Sequence, residues 1–400
     1  MSAGTDLLYR DDPYLLDFEA TVVARRQHEG RPAVVLDRTA FYPESGGQPW
    51  DTGTLGDRTV LAVVKAGDEV LHVLDTYPAT DRVRGLVDAA RRRDHRQQHH
   101  GQHLLSRALV EAAGARTVSF HLGAESCSID VDRLVSDAAM EAAEVRANEV
   151  VWEARPVTVR TLTPDEARAA GIDVPGEAGD RVRVVEAEGF DRQPCGGTHP
   201  RTTAEVGVVL VLGHERYKGG TRVQFACGFR ALMFARARTS VLGRAGAVLS
   251  SSLDGVPEAA QRLKDQLAQT EERTKELLER ALEGEARRLL ARPRTAGDAI
   301  VAVYEGWPPA DLRALAIQLV AREPCVALLG SVAGKAHAVF AQSEGLPHDI
   351  PALLQEAMRG LGGRGGGRGN LAQGGSDRAD GLAQALTAAA QRVREGAGTR

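Results

Sequence analysis

The chain has 400 residues, which is more than one hydrophobic core usually serves, so two or three domains are expected. No segment is long and apolar enough to span a bilayer, and Met1 to Arg10 has no basic start followed by an apolar run, so neither a membrane anchor nor a secretory signal is expected. Net charge is only −4, so bulk charge does not mark a nucleic-acid binder, and the four cysteines (Cys127, Cys195, Cys227, Cys325) show no paired spacing, which with the missing signal argues for a reducing cytosol and against a disulfide framework.

The fold class expected is α+β. Residues 1–88 read as mostly β. Apolar and polar residues alternate from Phe18 to Leu36 around a turn at Glu29-Gly30, and Thr59 to Val64 with Glu69 to Leu74 reads as a hairpin joined through Ala66-Gly67-Asp68. Many short strands with Gly and Pro turns suggest a small barrel-like domain.

A helix is expected from Asp88 or Ala89 to about Ala113, with Gly114 as its stop and Leu104, Leu105, Ala108 and Leu109 on its apolar face. Between Arg82 and Arg107 there are seven arginines against Asp88 and Asp94, a stripe that attracts phosphates or simply forms a solvated helix face. Strand-like sequence from Thr117 to Val131, a helix from Asp137 to Ala154, and strands at Pro156–Leu162 and Arg181–Val185 follow. The last of these leads into a loop that holds Cys195, and a hairpin of Val206–Leu212 with Thr221–Ala226 closes an α+β domain over 89–240.

From Pro257 to Leu290 the composition shifts to Ala, Leu, Glu, Arg, Gln and Lys. Leu263, Leu267, Leu278, Leu282 and Leu289 lie on one face, with Thr270, Thr274 and Ala286 completing the stripe. This predicts a long amphipathic linker helix within 250–292, suited to self-association. Residues 293–400 read as an α/β unit. Its strands are Ala299–Tyr304, Cys325–Val332 and Lys335–Gln342, its helices Asp311–Arg322, Ile350–Leu361 and Asp377–Arg394, and a glycine-rich segment runs from Gly362 to Asn370.

Two short motifs carry metal-binding chemistry. His99 and His103 are four apart on the first helix and so share a face, and Cys195-Gly196-Gly197-Thr198-His199 places a thiol and an imidazole at the same spacing in a tight turn. Together they offer the nitrogen and sulfur donors that tetrahedral zinc prefers. His95 also lies four residues before His99, so spacing alone leaves the pair His95/His99 open. His100 stands where a zinc protease carries its glutamate, which excludes that mechanism. Gln102, between the ligands, is expected to face away from the metal.

Thr39-Ala40-Phe41-Tyr42-Pro43-Glu44-Ser45-Gly46-Gly47-Gln48-Pro49, followed by Asp51-Thr52-Gly53, closely resembles the editing-region signature of alanyl-tRNA synthetase and of its free-standing relatives, the AlaX proteins. The His99/His103 and Cys195–His199 motifs match that family in order and spacing. The segment ending Asn370-Leu371-Ala372-Gln373-Gly374-Gly375 resembles the DHH-associated domain that follows the editing region in the synthetase and in long AlaX proteins. The resemblance spans nearly the whole chain. It implies one zinc ion per chain, on His99, His103, Cys195 and His199, and so decides for His99 over His95.

It further implies a deacylase that hydrolyses Ser-tRNA(Ala), or Gly-tRNA(Ala). Thr39 would read the seryl hydroxyl, Gln48 would be a pocket donor and Cys195 would serve at the metal. Arg91, Arg92, Arg93, Arg96, Lys218, Arg364 and Arg368 would contact tRNA. A homodimer through the linker helix or last domain is a family-supported expectation. Nucleotide binding and ATP binding are expected beside tRNA binding, while the chain begins at the barrel-like region and no ATP-dependent aminoacylation domain is expected. The competing reading is a non-catalytic tRNA- or RNA-binding module with a structural zinc. A third, a general hydrolase of small esters, is disfavoured by the arginine stripe and the C-terminal domain.

Overall fold

The structure, a computed structural model, describes residues 4–174, 179–295 and 297–397. The chain divides into two compact units, Met1–Ala247 and Val248–Arg400.

The first unit begins with β1 (Asp6–Leu7), β2 (Asp17–His28), β3 (Arg31–Leu36), β4 (Arg38–Thr39), β5 (Gly53–Leu55), β6 (Arg58–Ala66), β7 (Glu69–Leu74) and β8 (Arg82–Val87). Six of these close into a barrel in the order β2-β3-β7-β6-β5-β8, every described pairing being antiparallel, while β1 and β4 form a short parallel pair. The alternation of β2 buries Phe18, Ala20 and Val22 and exposes the residues between them. The β2–β3 turn puts Glu29 and Gly30 in the left-handed region (φ 49° and 76°), the turn geometry whose twist suits a two-residue hairpin. Phe18, Val34, Leu36, Phe41, Leu55 and Val63 fill the interior, with Phe18 and Phe41 edge to face at 5.8 Å.

Helix α1 (Ala89–Ala113) leaves the barrel directly from β8. Then come β9 (Thr117–Leu122), β10 (Cys127–Val131), α2 (Asp137–Trp152), β11 (Val157–Leu162), α3 (Pro164–Ala169), β12 (Val182–Ala187), β13 (Asp191–Pro194), β14 (Val209–Tyr217), β15 (Gly220–Cys227) and α4 (Gly228–Val248). A four-stranded sheet, β14-β15-β10-β9, packs Ile129, Val223 and Phe225 against Leu104, Leu105 and Leu109 of α1 and Val150 of α2. The smaller sheet β11-β12-β13 ends at Pro194, immediately before Cys195.

The second unit holds α5 (Val256–Leu290), β16 (Ile300–Glu305), α6 (Pro309–Arg322), β17 (Val326–Ala333), β18 (Lys335–Gln342), α7 (Ile350–Gly360), β19 (Arg364–Arg368), β20 (Leu371–Ser376) and α8 (Leu382–Ala397). Its sheet runs β16-β17-β18-β20-β19, with β16 and β17 parallel and the rest antiparallel. Alternation along β17 sends Leu328 to the face under α7 and α8, and Leu329 to the face under α6 and the end of α5. The expected stripe of α5 is only partly used. Leu282, Ala286 and Leu289 are buried, whereas Leu263 and Leu267 are more than half exposed.

Three elements lie beyond what the sequence pattern specifies. The glycine-rich segment forms the hairpin β19–β20: a Cβ on Gly365 would lie 2.8 Å from Leu354, and one on Gly374 2.8 Å from Met358, so the glycines let α7 settle onto the sheet. The stretch from Gly228 to Val248 forms α4, for which the sequence reading names no element; only Gly228, Ala231 and Gly246 of it are buried. The chain between Val185 and Cys195 makes a second strand, β13, whose polar Asp191-Arg192-Gln193 carries no strand pattern.

Candidate metal centre

Helix α1 is fixed at both ends. The Asp88 carboxylate accepts from the backbone N–H of Ala90 (2.9 Å) and Arg91 (3.1 Å), and Gly114 ends the helix at φ 61°. Its middle is enclosed on all sides: every residue from Gln98 to Leu105 is buried. Gly101 permits this, because a Cβ there would stand 2.2 Å from the Cys227 sulfur on β15. Gln98 adds a two-point bond to the Cys227 backbone, donating to its carbonyl (2.9 Å) and accepting from its N–H (2.8 Å).

The loop after β13 brings the second half-site to this helix. Arg183 donates to the carbonyls of Cys195 (2.8 Å) and Gly197 (3.0 Å), holding the turn. Cys195 Sγ then lies 3.3 Å from His99 Nε2 and 3.1 Å from His199 Nε2. One ligand atom from each of His99, His103, Cys195 and His199 falls within 4.8 Å of the others. The four residues named from the sequence therefore meet, and His95 stands apart from them.

Each imidazole is gripped at its other nitrogen. His99 Nδ1 is 2.8 Å from Gln48 Oε1, His199 Nδ1 is 3.1 Å from His100 Nδ1, and His103 Nδ1 is 3.1 Å from Asp191 Oδ2 and 2.8 Å from Gln193 Nε2. Such partners fix which ring nitrogen faces a metal and in what orientation. Burial by itself would raise the Cys195 pKa, but His99, His199 and His103 around it reverse the sign and hold the thiol well below its ordinary value. Burial likewise acts to lower His103, yet the Cys195 sulfur and the Asp191 carboxylate lift it to about 10. His199 is pushed down to about 3, chiefly by burial. The cluster opens on a cleft of ≈ 540 Å³ lined by Tyr42, Gly46, Gly47, Phe120, Gln102 and Gln193 among others.

Several residues sit elsewhere than expected. Gln102 is buried and lines the cleft instead of facing away, with its amide donating to Ser106 (2.9 Å). Gln48 is wholly buried and is a partner of His99 and Thr198, not a pocket donor. Thr39 is not brought to the cleft lining. Its hydroxyl, buried in the barrel, lies 2.8 Å from His72 Nε2 and accepts from the Phe41 N–H.

Of the expected tRNA contacts, Arg92 is corrected: it is fully buried, paired with Asp51 and donating to the carbonyls of Ala40 and Pro13. Arg96 is also buried, its guanidinium 3.7 Å over the Tyr14 ring. Neither presents charge to a phosphate. Arg93, Lys218, Arg364 and Arg368 are exposed, and Arg91 is half-buried with Nε on the Trp50 carbonyl. Sequence reasoning missed Asp191 and Gln193, and treated His100 only as a neighbour. The signal for His100 was its place between two ligands on a helix with no apolar alternative there.

A closed barrel joined to an α+β layer thus carries a three-histidine, one-cysteine cluster that could hold a metal ion, the architecture of a single-site metal-binding module. Residues 14–91 match the family described as tRNA synthetases class II (A), residues 182–224 the threonyl and alanyl tRNA synthetase second additional domain, and residues 297–395 the DHHA1 domain. The alanyl-tRNA editing protein AlaX-L of Pyrococcus horikoshii is 30% identical over 382 residues, covering 92% of this chain and 93% of its own. The alanine–tRNA ligase of Methanopyrus kandleri is 31% identical over 95% of this chain but only 44% of its own length. The crystal structure of the C-Ala domain from Aquifex aeolicus alanyl-tRNA synthetase, 28% identical, covers 26% of this chain and 98% of its own; its TM-score of 0.24 carries no structural argument. The chain belongs to the alanyl-tRNA editing proteins of the AlaX family. It is accordingly an enzyme of the aminoacyl-tRNA deacylase class.

Proposed function

We propose that the chain removes serine from mischarged tRNA(Ala), and glycine as a second substrate, by hydrolysing the aminoacyl ester at the cleft beside one zinc ion. The observation that carries this is the convergence of His99, His103, Cys195 and His199, each imidazole with a dedicated partner on its far nitrogen. The donor set fits zinc. Tetrahedral zinc with nitrogen and sulfur ligands has ligand–ligand edges of about 3.5 Å, and the two sulfur–nitrogen separations are 3.1 and 3.3 Å. A bound zinc ion supplies Lewis acidity toward a carbonyl or a water.

The chain's own residues do the rest. Gln48, His100 and the Asp191–Gln193 pair orient the ligands, and the Gly46-Gly47 turn lines the cleft, with Gly47 closed against the Phe120 ring. Cys195 acts as a ligand thiolate in this proposal, not as a nucleophile. A site that hydrogen-bonds a substrate hydroxyl rejects the analogue lacking it, which would spare alanine. For Thr39 to be that reader, the seryl side chain must reach the buried Thr39–His72 pair. Loss of serine-over-alanine selectivity in Thr39→Val would support that role, and unchanged selectivity would assign Thr39 to the barrel.

The partner proposed is tRNA(Ala), with Arg91, Arg93, Lys218, Arg364 and Arg368 available to phosphates. The exposed Leu263 and Leu267 on α5 support a homodimer, which sedimentation at micromolar concentration tests. Domain limits of 1–88, 89–240, 250–292 and 293–400, and a cytoplasmic site of action, complete the proposal; no helix among the described residues is long and apolar enough to cross a membrane.

The second reading is a tRNA-binding module with a structural zinc. It is favoured by one observation: four protein ligands leave zinc no open position. Deacylation of Ser-, Gly- and Ala-tRNA(Ala), with and without Cys195→Ala and with metal content measured in parallel, separates the two. Selective loss of the seryl ester, abolished in the variant, is expected. Zinc retention without selective loss sinks the enzyme proposal.

A further inference from the structure

A second cleft of ≈ 780 Å³ lies beside the metal-site cleft, and none of the roles above uses it as a site. Both clefts are cut from the same three segments. In the loop after Tyr42, Ser45, Gly46 and Gly47 line the first, while Glu44, Pro49 and Trp50 line the second. Along α1, Arg91 and Arg93 line the second, and His99 and His103, farther along the helix, the first. On β9, the residues from Thr117 to Phe120 line the first cleft, and His121 and Leu122, at the end of the strand, line the second.

The composition of the second cleft is specific. Phe229, at the start of α4, is 68% exposed, an unusual position for a large ring. Trp50 is half-buried, its indole N–H held by the Leu61 carbonyl so that the ring is fixed. Arg230 is committed to Asp94 and to the Gly123 carbonyl, which leaves Arg91 and Arg93 as cations not ion-paired to a carboxylate in the described contacts, against the single carboxylate of Glu44. Rings for stacking and arginines for phosphates are what an unpaired nucleic-acid strand needs. Arg93 precedes His99 by six residues, about 9 Å along the helix axis, a span that a short single strand covers.

We infer that this cleft receives the unpaired 3′ end of the tRNA substrate, upstream of the nucleotide that carries the ester. Phe229 and Trp50 stack bases, and Arg91 and Arg93 face phosphates. The inference rests on the deacylase reading above and names where its substrate's single strand lies.

The test uses Phe229→Ala and Arg93→Glu in the full chain. Both side chains are exposed and neither makes a described hydrogen bond. Affinity is measured by fluorescence anisotropy for intact tRNA(Ala) and for tRNA(Ala) trimmed of its unpaired 3′ nucleotides. Each variant is expected to bind intact tRNA roughly 5- to 100-fold more weakly, to match wild type on trimmed tRNA, and to keep its zinc. Wild-type affinity for intact tRNA, or an equal loss on both RNAs, overturns the inference. The failures are distinguishable: a wild-type protein that deacylates while both variants bind as it does refutes this cleft alone, whereas a wild-type protein that deacylates nothing refutes the proposed function.

Discussion

Adding one methyl group at Gly197 should dismantle the metal centre, whereas the same group at Gly196 should not. A Cβ on Gly197 would lie 2.2 Å from His99 Cε1, 2.4 Å from His99 Nδ1 and 2.9 Å from Gln48 Oε1; one on Gly196 meets nothing within 4 Å. Neither glycine sits at positive φ, so alanine meets no left-handed backbone penalty at either. To reach ordinary contact at 3.4 Å the His99 ring must retreat by about 1.2 Å. Metal sites tolerate about 0.2 Å in ligand distance, so His99 is lost as a ligand and its bond to Gln48 breaks with it. Zinc affinity of Gly197→Ala, measured by competition against a chromophoric chelator, should fall at least about 10- to 100-fold, with a folding cost of about 1–3 kcal/mol. Gly196→Ala should bind as wild type. Equal affinities for the two variants would refute the reasoning, since only the steric difference separates them.

Gln48→Ala removes the acceptor of His99 Nδ1 and should weaken zinc binding by about 10- to 100-fold, with circular dichroism unchanged; wild-type affinity would show that the helix alone orients His99. Arg92→Ala leaves the Asp51 carboxylate buried without its cation and should cost about 3–5 kcal/mol in urea unfolding, against about 0.5 kcal/mol or less for the exposed Arg93→Ala; equal costs would contradict the buried pair. His72 has its pKa lowered by burial from 6.5 to about 4. The unfolded chain takes up this proton below pH 6.5 and the folded chain resists it until about pH 4, so stability present above pH 6.5 is lost as pH falls across that window. The slope from this group is about 1.4 kcal/mol per pH unit. Wild type should lose stability more steeply than His72→Asn between those limits, and parallel urea-stability curves would refute the assignment.

Helix α1 is legible in the sequence because its signals are local: Asp88 and Gly114 are a cap and a stop, and four-residue spacing puts His99 and His103 on one face. The meeting of His99 and Cys195, 96 residues apart, is not local, and spacing alone left His95 as a rival; the family resemblance supplied that choice. The polar strand carrying Asp191 and Gln193 has no alternation to read, because its side chains point at ligands and not at a core. Glycines in β19 and β20 argue against strands by propensity, and packing under α7 overrides them. Arg92 and Arg96 were legible in retrospect. They stand seven and three residues before His99, on the helix face that the ligands occupy, so a buried role followed from the same periodicity that paired the histidines.

That periodicity makes α1 a ruler. Arg92 bonds Asp51 and the Ala40 carbonyl, and two turns later His99 bonds Gln48, so one helix face reads the segment Ala40–Asp51 at two marks. A residue inserted between those marks would swing His99 by about 100° away from Arg92, and an inserted full turn would carry it about 5.4 Å past Gln48. The stretch between Arg92 and His99 is therefore constrained in length as well as in composition. The count of residues between the two marks is what keeps Arg92 on Asp51 and His99 on Gln48 at once.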